Sequence, residues 1–144
     1  MVKPPFKLFI DSAALIALFN KNDQYHDTAF EYYNSLTKAT KLFTTLLVVS
    51  ETYTWFRYHL SYTVAVEFLD VINDSVASDW LKVLYPDAVI DSKAQDILRR
   101  YQDQDLSYVD AISFAVLENT KIKDVLTFDS HFHIIKRSIW PLGL

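Results

Sequence analysis

The segment KLFIDSAALIALF, Lys7–Phe19, joins a short apolar strand to an apolar helix and places a carboxylate between them. Lys7–Ile10 is predicted as a strand, and Ser12 is predicted to cap a helix that ends near Asn20. Asp11 therefore follows directly after the last residue of the strand. An acid at this junction either forms a turn or belongs to a functional site. A second example in the chain helps to decide between the two.

The second example is VLTFDSHF near the other end of the chain, where the predicted strand Val125–Phe128 runs into Asp129. In open parallel sheets, ligands bind beyond the carboxyl ends of the strands, at the point where the strand order reverses. If the two strands are neighbours, Asp11 and Asp129 share one edge of the sheet.

Short apolar strands alternate with helical spacing along the rest of the chain. Further strands are predicted at Lys41–Thr45, at Trp80–Tyr85 and at Ser138–Trp140, and helices near residues 24–39, 46–60, 61–74, 91–102 and 107–119. This alternation predicts a three-layer α/β fold, in which helices flank a mostly parallel sheet of four to five strands. No linker or repeat interrupts the pattern, so we expect one domain over residues 1–144.

Composition excludes several classes of function. The only glycine is Gly143, which excludes a Walker-type phosphate loop, a G-x-G-x-x-G motif and a nucleophile elbow. Cysteine is absent, which excludes thiol catalysis, thiolate metal sites and disulfides. The start of the chain lacks the apolar stretch of a signal peptide, and no run is long enough to span a membrane. We therefore expect a cytoplasmic protein with no membrane partner.

Two more acids lie in unusually apolar surroundings on predicted helices. Glu51 lies about one and a half turns into the helix after the strand Lys41–Thr45, and Asp110 lies in the first turn of the helix capped by Ser107. An ionised carboxylate among apolar residues is costly unless a cation or strong donors neutralise it. Both acids thus become candidates for the same edge as Asp11.

A divalent cation would offset both the burial and the mutual repulsion of four such carboxylates. Mg²⁺ and Mn²⁺ prefer all-oxygen ligands. The net charge is −4, with 18 acidic and 14 basic residues, so the four candidates equal the whole acidic excess. A bound cation would therefore remove the electrostatic objection to a nucleic-acid substrate.

Four motifs together resemble the PIN-domain ribonucleases, and the length of the chain is most similar to the VapC-type toxins of toxin–antitoxin pairs. The resemblance covers essentially the whole chain and rests on four motifs: FIDSAALIALF with Asp11, VVSETYTWF with Glu51, LSYVDAISFAV with Asp110, and VLTFDSHF with Asp129. Each motif is weak alone, but their order and spacing make the set specific.

The resemblance implies a Mg²⁺- or Mn²⁺-dependent endoribonuclease whose catalytic and metal-binding residues are Asp11, Glu51, Asp110 and Asp129. Asp11 and Asp110 would be the main metal ligands, and Glu51 would help to orient the attacking water. A metal-activated hydroxide would displace the 3′ oxygen of an RNA phosphodiester and leave a 5′-phosphate. The family also implies a protein antitoxin and a homodimer.

Each of these residues also has an ordinary structural interpretation. An aspartate after a strand is often a turn former or a helix cap, and Asp110 could simply favour a helix N-terminus. Asp105, in the loop before the Asp110 helix, is a competing candidate for the mouth of the pocket. Ser12 and Thr127 are candidates for hydrogen bonds to the pocket carboxylates.

The histidines and aromatic residues are assigned more ordinary roles. His131 and His133 alternate around Phe132 and would face one side of an extended segment, but they lack a third ligand and are predicted at the surface. The aromatic residues near Glu51 are expected in the core or at a dimer interface; they are Tyr53, Trp55, Phe56 and Tyr58.

Two other functions fit parts of the pattern. A catalytically silent PIN-fold scaffold would bind RNA or a protein, and the presence of all four acids argues against it. A phosphatase-like or receiver-type domain would use Asp11 covalently. That chemistry usually needs an acid two residues later, where Ala13 stands, and a lysine late in the sheet, which VLTFDSH does not offer.

Overall fold

The computed structural model describes residues 3–141, in which strands and helices alternate. The described strands form one sheet: β1 (Lys7–Ile10), β2 (Lys41–Thr45), β3 (Leu81–Leu84), β4 (Asp124–Leu126) and β5 (Ser138–Trp140). The order across the sheet is β3-β2-β1-β4-β5, and every neighbouring pair is parallel. The predicted α/β class and the parallel sheet are confirmed.

Six α-helices flank the sheet in the described range: α1 (Ser12–Phe19), α2 (His26–Ser35), α3 (Leu46–His59), α4 (Tyr62–Ala77), α5 (Ala88–Arg100) and α6 (Tyr108–Thr120). Helix α5 begins before the predicted Asp91, because the side chain of Asp87 accepts the N–H of Ile90 at 2.9 Å and caps the helix there. Within residues 3–141, no helix is both long and apolar enough to cross a bilayer.

The strand order reverses at β1, which lies between β2 and β4. Phe9 is paired with Val125, and Ile10 is paired with Leu126, so β1 and β4 end side by side. The N–H of Asp11 continues this ladder by donating to the carbonyl of Leu126 at 3.3 Å. The two strands that precede the candidate aspartates are therefore neighbours, and their carboxyl ends form the topological switch point.

Strand β4 is shorter than predicted. It ends at Leu126, and the chain then forms a single 3₁₀-helix turn at Ser130–His133. Asp129 caps this turn by accepting the N–H of His131 at 2.9 Å. The expectation that His131 and His133 alternate on an extended segment is therefore wrong, and the two side chains have different surroundings.

The core fills the space between the sheet and the helices. Phe56 of α3 is completely buried and meets Phe19 and Phe68 edge-on, with ring centroids 6.0 and 5.4 Å away. Burial of one such ring stabilises the fold by about 1.5–3 kcal/mol. Tyr58, two residues later, is 80% exposed. Some of the aromatic residues near Glu51 thus lie in the core and others at the surface. Only those at the surface are available to a partner.

Candidate metal centre

Asp11 lies at the bottom of the candidate site. Only 4% of its surface is exposed, and its Oδ1 accepts the N–H of Ala14 at 3.0 Å, so Asp11 itself caps α1. The prediction that Ser12 is the cap is wrong; the two adjacent residues are both good caps, and the one in extended backbone before the helix takes that place. The pKa of Asp11 is raised to about 7, mainly by burial and to a smaller extent by the carboxylates of Asp129 and Asp110.

Thr127 connects Asp11 to Asp129. Its completely buried hydroxyl donates to Oδ2 of Asp11 at 2.5 Å and accepts the N–H of Asp129 at 2.9 Å. The bond to Thr127 opposes burial by lowering the pKa of Asp11. The predicted contact of Thr127 with a pocket carboxylate is thus present.

Asp110 reaches the same edge from the first turn of α6. Its N–H donates to Oγ of Ser107 at 3.0 Å, and its Oδ2 accepts the N–H of Ser107 at 3.3 Å, which completes a capping box. Burial raises the pKa of Asp110, and the carboxylate of Asp129 raises it further. Asp110 therefore stabilises the start of α6 and also belongs to the cluster.

His131 completes the outer part of the cluster, although its sequence position predicts a surface residue. Its Nδ1 lies 3.2 Å from Oδ2 of Asp110 and 3.2 Å from Oδ1 of Asp129. Ligand atoms of the three residues lie within 4.8 Å of one another, and they form the only such group of three or more metal-binding side chains in residues 3–141. The sequence signal for this position is the D-x-H spacing. An aspartate commonly accepts the N–H of the residue two positions later, and the resulting turn brings that residue close to the carboxylate.

Like Asp11, Glu51 is not a member of that group of three metal-binding side chains. It is half-buried, and its Oε1 accepts the hydroxyl of Ser12 at 2.6 Å. Since Ser12 follows Asp11 in the chain, this bond ties α3 to the same end of β1. Ser12 therefore contacts a candidate carboxylate, as predicted. Asp105 is exposed, lies in a left-handed backbone conformation with φ of 53°, and belongs to no metal-binding group in the described chain.

The residues present fit a hard divalent cation. Each of Asp11, Asp110 and Asp129 offers carboxylate oxygen at one edge, and the raised pKa values of Asp11 and Asp110 reflect burial first and the neighbouring negative charge second. The Nδ1 atom of His131 is buried without a hydrogen-bond partner. Buried polar atoms are normally paired, so this one indicates a missing ligand.

Comparison with known proteins identifies the family of this chain. The model of the PIN domain family matches residues 8–137, which is most of the chain. The chain belongs to the PIN-domain family.

The curated relatives of this PIN-domain chain are VapC proteins. It is 29% identical over 125 residues to the 23S rRNA-specific endonuclease VapC20 of Mycobacterium tuberculosis, covering 87% of this chain and 91% of the relative. It is also 29% identical over 136 residues to a VapC ribonuclease of Archaeoglobus fulgidus, covering 91% of this chain and 83% of that protein.

Solved structures have the same fold. The crystal structure of M. tuberculosis VapC20, described as a sarcin–ricin loop cleaving toxin, superposes with a TM-score of 0.81 and 26% identity, over 90% of this chain and 95% of that one. FitAcB from Neisseria gonorrhoeae reaches a TM-score of 0.65 at 13% identity, over 92% of this chain and 95% of that one, and supports the fold alone.

Proposed function

We propose that this PIN-domain chain is a metal-dependent endoribonuclease, with Asp11, Glu51, Asp110 and Asp129 as its catalytic and metal-binding residues. The observation that carries the proposal is the convergence of Asp11, Asp110 and Asp129 at the carboxyl ends of β1 and β4, close enough that Asp129 and Asp110 raise the pKa of Asp11 and Asp129 raises the pKa of Asp110. Such a cluster is unfavourable without a cation, and a cation of this type suits phosphodiester hydrolysis.

The proposed metal ligands are Asp11, Asp110 and Asp129. When bound, Mg²⁺ or Mn²⁺ supplies a water of lowered pKa and positive charge against the phosphate. Thr127 holds Oδ2 of Asp11 in place, and the capping box holds Asp110. These contacts preorganise the carboxylates, so little rearrangement accompanies metal binding.

Glu51 has a different proposed role. Its carboxylate is held by Ser12 and lies outside the tight group of ligand atoms. A carboxylate at that position is suited to accepting a proton from the attacking water or to orienting it. The products would carry a 5′-phosphate, because the water displaces the 3′ oxygen.

The proposed substrate is single-stranded or loop RNA, and the proposed protein partner is an antitoxin. The support is homology to proteins named VapC, of which one is called an rRNA endonuclease and its structure that of a toxin. A single domain over residues 1–144, a homodimer and a cytoplasmic location belong to the same proposal. The exposed aromatic residues Tyr58 and Tyr62 mark the surface where a second copy is expected to pack.

The test is RNA hydrolysis by purified protein with Mg²⁺, with Mn²⁺ and with EDTA. A 23S rRNA fragment that contains the sarcin–ricin loop is the first substrate, and an unstructured RNA is the second. We expect cleavage that requires metal and leaves 5′-phosphate ends. A catalytically silent scaffold would bind RNA without cleaving it under any metal, and that result would overturn the proposal.

A further inference from the structure

His131 differs from two other histidines of the chain in how its Nδ1 atom is satisfied. Nδ1 of His26 contacts the carbonyl of Ala17 at 2.7 Å, and Nδ1 of His59 contacts the carbonyl of Trp55 at 3.0 Å. Nδ1 of His131 is buried and has no hydrogen-bond partner. A polar atom in this state is costly unless a ligand occupies the space in front of it.

The two carboxylates beside this nitrogen approach it without forming a hydrogen bond. Oxygens of Asp110 and Asp129 each lie 3.2 Å away, which is within range, but neither contact has hydrogen-bond geometry. Adjacent ligands of an octahedral cation bound at about 2.1 Å are separated by about 3.0 Å. The two nitrogen–oxygen separations are thus close to those of donors that share one cation, and all three ligand atoms lie within 4.8 Å of one another.

We propose that Nδ1 of His131 is a ligand of the metal ion held by Asp110 and Asp129, and that it makes the site selective for Mn²⁺ over Mg²⁺. This inference rests on the proposed function, which supplies the cation. Mn²⁺ also prefers oxygen ligands, but as a transition metal it accepts an imidazole nitrogen more readily than Mg²⁺, which is bound by oxygen and keeps its waters. An aromatic nitrogen among carboxylates therefore strengthens Mn²⁺ binding more than Mg²⁺ binding.

The local fold holds the imidazole in position. Asp129 accepts the backbone N–H of His131 at 2.9 Å. Phe132, the next residue of the 3₁₀-helix, is 1% exposed and packs edge-on against Phe114, with the ring centroids 5.2 Å apart. Because Phe132 is fixed in the core, its neighbours on the turn are directed to opposite surroundings. His131 reaches the cluster and His133 is exposed.

His133 therefore provides a matched control on the same turn. The experiment measures Mn²⁺ and Mg²⁺ dissociation constants by calorimetry for the parent, His131→Ala, His131→Asn and His133→Ala. Pulsed electron paramagnetic resonance of the Mn²⁺-loaded proteins detects any nitrogen bound to the metal. Circular dichroism checks that each variant is folded, which we expect because His131 is partly exposed.

We expect nitrogen coupling in the parent and in His133→Ala, and none in His131→Ala or His131→Asn. We also expect His131→Ala to weaken Mn²⁺ binding by about 10- to 100-fold, and Mg²⁺ binding by only a few-fold. His131→Asn should recover Mg²⁺ binding, since its amide oxygen lies near the position of Nδ1, without restoring the preference for Mn²⁺.

Absence of nitrogen coupling in the Mn²⁺-loaded parent would overturn the inference, as would an equal loss of both metals in His131→Ala. Asp110→Asn separates this failure from failure of the proposed function. If Asp110→Asn abolishes Mn²⁺ binding while His131→Ala does not alter it, the carboxylate site stands and the histidine is not a ligand. If neither variant alters Mn²⁺ binding, both proposals fail.

Discussion

The inner carboxylate of the candidate site, Asp11, and the outer pair, Asp110 and Asp129, differ in burial and in hydrogen bonding, although all three place negative charge at the same edge of the sheet. Asp11 is buried and has its two oxygens fixed by Ala14 and Thr127. Asp110 and Asp129 are partly exposed and use their carboxylates for local turns at the ends of helices. All three carboxylates thus accept a backbone N–H at the start of a helix or turn, but only Asp11 is buried and has its second oxygen held by the hydroxyl of Thr127. We therefore expect the outer pair to tolerate substitution with little cost to the fold, whereas a substitution of Asp11 must keep its shape and its hydrogen bonds to Ala14 and Thr127.

The largest expected effect is on catalysis, from Asp110→Asn. The amide oxygen can still accept the N–H of Ser107, so the capping box and the fold should survive, while the negative ligand is lost. We expect RNA cleavage to fall by more than about 100-fold, with an unchanged circular dichroism spectrum. Asp105→Asn removes an exposed acid before the same helix and should leave cleavage unchanged. Equal activity of the two variants would place the catalytic site elsewhere.

The next effect concerns the stability of the metal-free protein. The pKa of Asp11 is about 7 in the folded chain against 3.8 for an ordinary aspartate, so the folded state binds more protons between these values. The free energy of unfolding should therefore fall as pH rises from about 4 to 7, by at most about 4 kcal/mol from this group, and then level off.

Asp11→Asn tests the assignment of that pH dependence to the inner carboxylate. Urea unfolding in EDTA at pH 5 and pH 8 should show a smaller difference in the variant than in the parent, because the amide has no proton to lose. Divalent metal should also remove much of the parent's loss at pH 8, since a cation favours the ionised carboxylate. An identical pH dependence in parent and variant would show that Asp11 is not the responsible group.

Thr127→Val sharpens the comparison by removing one support of Asp11 and keeping the shape of the side chain. The pKa of Asp11 should rise further, because the hydroxyl currently lowers it. We expect metal affinity to fall by about 10- to 100-fold at pH 7, measured by calorimetry. Thr44→Val is the control, since its buried hydroxyl donates to the carbonyl of Ile10 at 2.8 Å and contacts no carboxylate. A similar loss in both variants would indicate a general packing effect.

The smallest expected effect is that of Ser12→Ala, which frees the carboxylate of Glu51. A hydrogen bond to a charged group contributes about 1.5–3 kcal/mol at most, and this one is only partly buried. We expect a modest fall in kcat, with metal affinity unchanged, because Glu51 lies outside the tight ligand group. A large loss of metal affinity would instead make Glu51 a direct ligand.

Most of the framework could be predicted from the sequence, because apolar spacing is strong in this chain. The bounds of β1, β2 and β5 follow from that spacing, whereas the adjacency of β1 and β4, on which the shared edge depends, comes from the structure. Local competition between side chains explains the errors. Asp11 and Ser12 are both suitable caps, and only the extended backbone of Asp11 decides between them.

The position of His131 could not be obtained from apolar spacing. The hydroxyl of Thr127 and the carboxylate of Asp129 capture backbone N–H groups and end the strand early. Because these N–H groups bond to side chains and not to a neighbouring strand, the segment forms a 3₁₀-helix, and His131 lies in the cluster. Side-chain to backbone bonds of this kind have only a weak sequence signal.

The most direct test of the account is a crystal structure of the protein soaked in Mn²⁺, with anomalous scattering used to find the metal. We predict a peak beyond the ends of β1 and β4, within bonding distance of carboxylate oxygens of Asp11, Asp110 and Asp129. A peak elsewhere, or none at saturating Mn²⁺, would contradict it.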